Sequence, residues 1–129
     1  MLLGTYEPGY AGTGRIALPK KIRDELSGNR IVITTGFENC LTGFDEKTWN
    51  DVVLPELERP FFSDEEARRM RRKMCVNAVI VQIDSQGRIV MPETMLAYAR
   101  IVKLVTVIGA GDHFEIWDKA AWSEYAKGL

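Results

Sequence analysis

Hydrophobic and polar positions follow the same pattern twice along this chain, and the two copies lie 73 residues apart, as the spacing from Gly14 to Gly87 shows. Residues 11–19 return as residues 84–92, with glycine, arginine and proline in the same places. The register continues without a gap, and the matched pairs are Gly14 and Gly87, Arg15 and Arg88, Pro19 and Pro92, Val32 and Val105, Gly36 and Gly109, Asp45 and Asp118, and Trp49 and Trp122. This repetition predicts two copies of one small structural unit.

The first copy begins with a predicted hairpin and a short helix. Residues 6–10 and 15–18 flank a glycine-rich turn, as the two arms of a hairpin do. Pro19 follows, and proline suits the start of a helix because no amide donor is needed there. Ile22 and Leu26 then lie one helical turn apart, so we expect both on the apolar stripe of a short helix.

Two further strands and a longer helix complete the first copy. Residues 30–34 and 40–44 are largely apolar runs on either side of a turn, and they predict a second strand pair. Asp45 has the side chain of a helix N-cap, and the helix that it opens carries Trp49. Pro55 is expected to bend or end that helix, because proline lacks an amide proton.

The second copy predicts the same elements in the same order. They are a hairpin from residues 78–83 and 88–91, a helix opened by Pro92, a strand pair from residues 104–108 and 114–117, and a helix that Asp118 caps and that carries Trp122 and Tyr125. An exposed helix joins the copies, with Ser63 as its cap, Glu66 three residues later, and a basic run in its last turns. The resulting division is a first repeat at 1–54, a charged helical linker at 55–73 and a second repeat at 74–129.

Each repeat alone is too small to bury a sufficient core. A unit of roughly 40–50 residues removes too little apolar surface from water to offset its chain entropy. Two fused copies supply a partner to each other, and 46% of the 129 residues are hydrophobic. We therefore expect an α+β fold with one shared core and a pseudo-two-fold axis within the chain.

Composition narrows the classes of function. The chain starts without a signal segment and has no apolar run near the roughly 20 residues of a membrane helix, so we expect a soluble cytoplasmic protein. Cys40 and Cys75 occupy unequal positions of the repeat and lack metal-ligand spacing, which favours two buried small side chains over a disulfide or a metal site. His113 has no neighbouring cysteine or histidine, and we expect neither a metal nor a cofactor.

The chain contains twice a glycine–arginine turn that is followed by three apolar residues and proline, and this motif carries a specific resemblance. With the arginine-rich stretch 68–73 and the segment 114–118 followed by Trp122, it resembles the MraZ family over essentially the whole chain. The resemblance implies two tandem AbrB-like or MazE-like swapped-hairpin β-barrel repeats with short helices. It also implies a nucleoid-associated bacterial transcription regulator of the division and cell-wall gene cluster, which binds direct repeats in its own promoter DNA as a ring of many subunits.

The arginine of each turn is the candidate DNA contact, because a guanidinium can address phosphate or the paired acceptors of guanine. We expect Arg15 to be freer than Arg88, since Asp84 precedes Arg88 by four residues and Ala11 stands at the matching place before Arg15. The predicted DNA contacts are Thr13, Gly14, Arg15, Lys20, Lys21, Gln86 and Arg88, and Arg23 continues the basic surface. The predicted structural residues are Asp84, Gly87, Pro19, Pro92, Trp49 and Trp122, with Asp84 bonding to the amides of its turn or pairing with Arg88.

Charge and side-chain chemistry bear on the other functions. A net charge of −1 and a pI near 5.9 lack the basic footprint of a free-standing DNA-binding domain. We therefore expect a homo-oligomer larger than a dimer, which also covers the apolar run around residues 76–81. No nucleophile lies beside a base and no phosphate loop is present, so we expect no enzyme. The alternative is a protein-interaction module of the same fold, an antitoxin that neutralises a partner protein.

Overall fold

The chain folds into two antiparallel sheets with short helices. The computed structural model describes residues 1–10, 12–58 and 62–129. The strands are β1 (Thr5–Tyr6), β2 (Arg15–Ala17), β3 (Arg30–Thr35), β4 (Leu41–Asp45), β5 (Val79–Gln82), β6 (Arg88–Val90), β7 (Val105–Gly109) and β8 (Phe114–Asp118). The helices are α1 (Lys20–Arg23), α2 (Glu46–Thr48), α3 (Leu54–Glu58), α4 (Glu65–Val76), α5 (Glu93–Tyr98) and α6 (Lys119–Ala126), and a π-helical segment, Trp49–Val53, joins α2 to α3.

The larger sheet has six strands in the order β1-β7-β8-β4-β3-β5. The smaller sheet, called the ribbon below, pairs β2 with β6. Each ribbon strand comes from a different repeat, and the larger sheet also combines three strands from each repeat. The predicted α+β class with fused repeats is confirmed, and the two sheets enclose one shared core between them.

A pseudo-two-fold axis relates the two halves. In the ribbon, Ile16 lies opposite Ile89, and these residues match in the repeat. In the larger sheet, Thr42 lies opposite Glu115, which match by the same offset. The axis therefore passes through the centres of both sheets, from the ribbon to the middle of the β4–β8 pair.

Side chains alternate between the two faces of the larger sheet. In β3, Ile31 and Ile33 are fully buried and join the core between the sheets, while Val32 packs on the opposite, outer face. Two smaller clusters cover that outer face: one contains Val32, Phe44, Trp49 and Met74, and the other contains Cys40, Ile108 and Trp117 with Trp122 packed against them. The helices α2, α3, α4 and α6 thus lie on the side of this sheet away from the ribbon.

The arms of each predicted hairpin pair with each other only at the tip and otherwise exchange partners between the repeats, as the swapped-hairpin resemblance implies. Tyr10 bridges to Ile16, and the Asp84 amide donates to the Arg88 carbonyl at 2.9 Å. Beyond these contacts, β2 pairs with β6 of the other repeat and β5 pairs with β3. The arms exchange partners because cross-repeat pairing is what buries Ile16 and Ile89 completely.

Two helix expectations also need correction. The first helix ends at Arg23, so Leu26 lies beyond it in a turn, although its side chain still packs on the core. Pro55 does not end its helix, which continues to Glu58, so the predicted end is wrong and the predicted bend stays a prediction. The Leu54 amide donates to the Trp49 carbonyl in the π-helical turn just before the proline. Because the backbone bond in this turn spans five residues and not the usual four, the helix can accept a following residue without an amide proton.

The helix that joins the repeats differs from the expected one at both ends. Its cap is Asp64 and not Ser63, because Asp64 immediately precedes the first helical residue and its carboxylate accepts from the Ala67 amide at 3.2 Å. The last turn is not exposed throughout: Met74 is buried, and the Thr34 hydroxyl donates to its carbonyl at 2.6 Å. This contact anchors α4 to the outer face of the larger sheet.

The two cysteines have different environments. Cys40 is buried, as expected, and burial raises the pKa of its thiol to about 12, so the thiol stays protonated and donates to Glu115 Oε1 at 3.9 Å. Cys75 is exposed, which corrects the expectation that both are buried. Its position in the last turn of α4, next to the buried Met74, places its side chain on the solvent side.

Candidate nucleic-acid interface

The outer face of the ribbon carries both turn arginines. Because side chains alternate along a strand, Ile16 and Ile89 face the core while Arg15, Ala17, Arg88 and Val90 face outward. Arg15 is opposite Val90 and Arg88 is opposite Ala17, so the arginines are diagonal neighbours. Diagonal positions on one face of an antiparallel pair lie about 7–8 Å apart. The fold thus brings together two cations that are 73 positions apart in sequence.

Two matching backbone hydrogen bonds hold the ends of the ribbon. The Met91 amide donates to the Gly14 carbonyl at 2.7 Å, and the Leu18 amide donates to the Gly87 carbonyl at 3.0 Å. Both glycines adopt the left-handed conformation, with φ of 84° and 77°. Glycine is suited to this conformation because it has no Cβ. Each turn is therefore fixed to the strand of the other repeat.

Asp84 organises the second turn. One carboxylate oxygen accepts from the amides of Gln86 and Arg88 at 2.8 and 2.9 Å, and the other meets the Arg88 guanidinium at 3.3 Å. The Arg88 amide, the Gln86 amide and the Arg88 charge hold the pKa of the Asp84 carboxyl below its usual value. Asp84 makes both kinds of contact that the sequence allowed, and the arginine beside it is partly neutralised.

Arg15 has no such partner. Among the described residues, no hydrogen bond or ion pair engages its guanidinium, and its side chain is exposed. Ala11, which replaces the acid at the matching position, lies outside the described residues. Thr13 and Gln86 are exposed at the two turns, so each turn also presents a polar side chain to solvent.

The lysines of α1 add charge beside Arg15, but unequally. Lys20 forms an exposed ion pair with Asp24 at 2.7 Å. Lys21 is exposed, and none of the ion pairs found in the described parts of the chain includes it. The matching residues of the second repeat are Glu93 and Thr94. The end of the ribbon near α1 is therefore the more basic one.

Arg23 does not belong to this exposed surface, which corrects its expected place. It is half-buried, and its Nε donates to the Leu18 carbonyl at 3.0 Å. Its guanidinium lies so close under the second turn that a Cβ added to Gly87 would come within 2.6 Å of it. Sequence reasoning missed this supporting role of Arg23. The matching residue of the second repeat is the apolar Leu96, and this difference in side-chain type was a usable signal.

Two crevices related by the pseudo-two-fold axis lie beside the turns and differ in chemistry. The crevice beside the second turn, of about 730 Å³, is lined by Arg23, Asp24, Asn29, Gln82, Ile83, Asp84 and Ser85. Its counterpart beside the first turn, of about 550 Å³, is lined by Tyr10, Gly12, Thr13, Met91, Glu93, Leu96, Ala97, Ile101 and Val102. The second turn therefore rests on polar groups and the first turn on mostly apolar ones.

The remaining predicted structural residues lie away from the ribbon face or at its edges. Pro19 and Pro92 stand immediately before α1 and α5, and their carbonyls accept the first helical amides. Trp49 is buried against Phe44, with ring centroids 5.8 Å apart. Trp122 is half-buried and packs on Trp117. Within residues 1–10, 12–58 and 62–129, no group of three potential ligands could hold a metal ion, and no helix could span a bilayer.

Comparison with known proteins agrees with this architecture. A family model described as "MraZ protein, putative antitoxin-like" matches the chain twice, over residues 1–73 and 74–129. The protein named transcriptional regulator MraZ in Thermoanaerobacter pseudethanolicus is 37% identical over 98% of this chain and 87% of its own length. Those of Caldicellulosiruptor bescii and Roseiflexus castenholzii are 38% identical over 95% and 84%, and 36% identical over 100% and 89%, respectively. The chain therefore belongs to the MraZ family.

Proposed function

We propose that this chain is a DNA-binding transcription regulator that contacts DNA with the outer face of its ribbon. The observation that carries the proposal is the exposed, unpaired Arg15 beside Arg88 on one face of a two-stranded antiparallel sheet. The major groove of B-DNA admits such a sheet, and arginine can bond to both acceptors of guanine. Thr13, Lys20, Lys21 and Gln86 complete the proposed contact surface, and Gly14, which is buried, holds the first turn beneath it.

The rigidity of the ribbon supports this assignment. Its strands pair across the repeats, its turns are tied by matching backbone bonds, and Ile16 and Ile89 anchor it in the core. A surface held in this way presents its arginines at fixed spacing, so little conformational entropy is lost when they meet DNA. Arg15 is free to bond to a base edge or a phosphate, while Arg88 must share its charge with Asp84.

Membership of the family supports a proposal about which DNA and which genes this chain acts on. Relatives are named transcriptional regulators, and we propose that this chain binds direct repeats in its own promoter region, within the bacterial division and cell-wall gene cluster. A cytoplasmic, nucleoid-associated location and a non-enzymatic role belong to the same proposal. We also keep the division into repeats at 1–54 and 74–129 with a linker at 55–73, although α4 continues to Val76.

Assembly into a closed ring is a separate part of the proposal. The larger sheet ends in β1 on one side and β5 on the other, and Ile80 of β5 and the preceding Val76 are 54% and 77% exposed. Unpaired edges with apolar side chains favour contact with another chain. A contact between β5 of one subunit and β1 of the next is head-to-tail and closes into a ring when the rotation between subunits allows it. Several ribbons on one ring would compensate for the net charge of −1.

One experiment tests binding and assembly together. Native mass spectrometry of the protein alone, and with the upstream region of its own operon, should show an oligomer larger than a dimer that takes up this DNA in preference to a shuffled sequence. A monomer that ignores both DNAs would contradict the proposal.

The family description also names an antitoxin-like character, which keeps a protein-interaction role as the second candidate. A binding assay separates the two. Stable capture of one partner protein by the purified chain, without any preference for its operon DNA, would favour the second candidate.

A further inference from the structure

We propose that a cavity on the outer face of the larger sheet binds a small organic cation, a free primary or quaternary ammonium compound. The cavity has a volume of about 390 Å³, within the range of small-molecule sites. Thr42 and Glu115, which face each other across the β4–β8 pair, lie along its lining. It therefore sits on the pseudo-two-fold axis, at the seam of the two repeats and on the opposite side of the core from the ribbon.

Five phenylalanine, tyrosine and tryptophan side chains line the cavity. On the α6 side, the ring centroid of Trp117 lies 5.2 Å from that of Trp122 and 4.9 Å from that of Tyr125. Phe44 lines the other side, and Phe37 lies on the β3–β4 turn. The faces of such rings are electronegative and attract ammonium groups, which is how proteins recognise quaternary ammonium ligands.

A half-buried carboxylate adds the matching charge. The Glu115 side chain is 19% exposed, and it accepts from the Trp117 indole at 2.9 Å and meets His113 Nε2 at 3.0 Å. Burial alone would raise the pKa of the Glu115 carboxyl, but the bonds from His113 and Trp117 outweigh burial and lower it. Glu115 is therefore ionised at neutral pH.

The imidazole does not cancel the negative charge around the cavity. His113 contacts Asp112 at 2.7 Å as well as Glu115, so two carboxylates share one ring. Burial alone would lower the pKa of His113, but the bonds from Glu115 and Asp112 outweigh it and raise the pKa. Even a protonated His113 leaves this trio negative, and Glu38 lines the cavity with a further carboxylate. Lys73 Nζ lies 6.0 Å from the ring centroid of Phe37.

The first repeat shows that the fold does not require this chemistry. The residue that matches Glu115 is Thr42, and the residue that matches Tyr125 is Val52. Trp49, which matches Trp122, is buried against Phe44 and is not part of the cavity lining. Glu115 and Tyr125 thus have no counterpart of the same chemistry in the first repeat, although both repeats use the same backbone plan.

Choline and its uncharged isostere 3,3-dimethyl-1-butanol test the proposal on the full chain. Two tryptophans line the cavity, so tryptophan fluorescence reports binding directly. We expect a saturable change with choline, half-complete at or below about 10 mM, and no saturation with the alcohol over the same range. Equal responses to the two compounds, or no saturation with choline up to about 100 mM, would overturn the proposal.

Two variants and one control sharpen the test. Tyr125→Ala removes an exposed wall, and Glu115→Gln removes the charge with little change of shape; each should weaken choline binding by about two- to thirtyfold. Val52→Ala, at the matching position on the other repeat, should bind choline as the unaltered protein does. Thermal melting checks that the variants are folded. Unchanged binding in folded Tyr125→Ala and Glu115→Gln would overturn the proposal.

A native mass measurement in the same titration identifies the source of the cation. We expect the mass of the assembly to stay constant as choline is added, because the site takes a free compound. Dissociation of the oligomer by choline, but not by the alcohol, would mean that the cavity holds a lysine of a second copy, and would overturn the free-ligand assignment.

Discussion

Ile16 and Ile89 lie directly opposite each other at the centre of the ribbon, and each is the counterpart of the other in the internal repeat. Both side chains are completely buried. Neither repeat can therefore complete its own core without the other, and the outward direction of the flanking arginines depends on this shared anchor.

Truncation of either isoleucine should destabilise the whole chain. We expect Ile16→Ala and Ile89→Ala each to lower the free energy of unfolding by about 2–5 kcal/mol, because a buried branched side chain is lost and a cavity remains. Urea unfolding measures both, and Val90→Ala on the exposed face of the same ribbon is the control, with an expected loss below about 0.5 kcal/mol. A large loss at only one of the two isoleucines would contradict the symmetric anchor.

The close approach at the first turn predicts a difference between two glycines. A Cβ at Gly14 would lie 2.5 Å from the Met91 carbonyl oxygen, whereas a Cβ at Gly12 would meet no atom within 4 Å. Their φ angles are similar, 84° and 78°, so both alanine variants carry the same conformational strain of about 1 kcal/mol. Gly14→Ala should lower the melting temperature further than Gly12→Ala. Equal melting temperatures would show that the turn is not held against Met91.

Acid should weaken the cap at Asp45. Burial alone would raise the pKa of the Asp45 carboxyl, but the amides of Ser27 and Thr48, at 2.9 and 2.7 Å, outweigh burial and lower it. A lowered folded-state pKa means that the carboxylate stabilises the fold above its usual pKa of about 3.9 and that this stabilisation is lost as the pH falls through the lowered value.

Asp45→Asn isolates this effect, because every other carboxylate is unchanged. The stabilisation by the Asp45 carboxylate should be lost between about pH 5 and pH 2. Urea unfolding over this range should show a smaller decline of stability for Asp45→Asn than for the unaltered chain. Parallel declines would mean that the Asp45 carboxylate adds nothing in the folded state.

The internal repeat made much of the fold predictable. Gly36, Asp45 and Asp118 mark local events, a turn and two helix caps, which depend on neighbouring residues and lie where the sequence placed them. Strand pairing was harder to predict from local sequence, because Arg15–Ala17 has similar local preferences whether it pairs with its own hairpin arm or with Arg88–Val90. Only the long-range burial of the core decides between these partners.

The candidate site was predictable to a similar extent. The pairing of Arg88 with Asp84 follows from their spacing of four residues across a turn. The place of Arg23 beneath Gly87 could not be inferred in this way, since it depends on how one repeat docks on the other. Ion pairs and crevices between repeats are properties of that docking and not of either motif.

Arg88 should matter less for stability than its ion pair suggests. Its side chain and that of Asp84 are 36% and 41% exposed, and Asp84 keeps two backbone donors when the guanidinium is removed. We expect Arg88→Ala to reduce the free energy of unfolding by less than about 1 kcal/mol, measured by urea unfolding. A loss of several kcal/mol would mean that the pair is effectively buried, for example in the assembled protein.

The central claim is that Arg15 contacts DNA from the outer face of the ribbon. The most direct test is a binding titration on the upstream region of the protein's own operon at two salt concentrations, with Arg15→Ala compared with the unaltered chain. Lys127→Ala is the control, because it removes one positive charge from the α6 side of the larger sheet.

We predict that affinity falls steeply with salt, since each neutralised phosphate releases counterions, and that Arg15→Ala greatly weakens binding while its melting temperature and native mass stay unchanged. Lys127→Ala should bind as the unaltered chain does. Unchanged affinity in Arg15→Ala, or affinity that is indifferent to salt, would contradict the assignment of the ribbon as the DNA-binding surface.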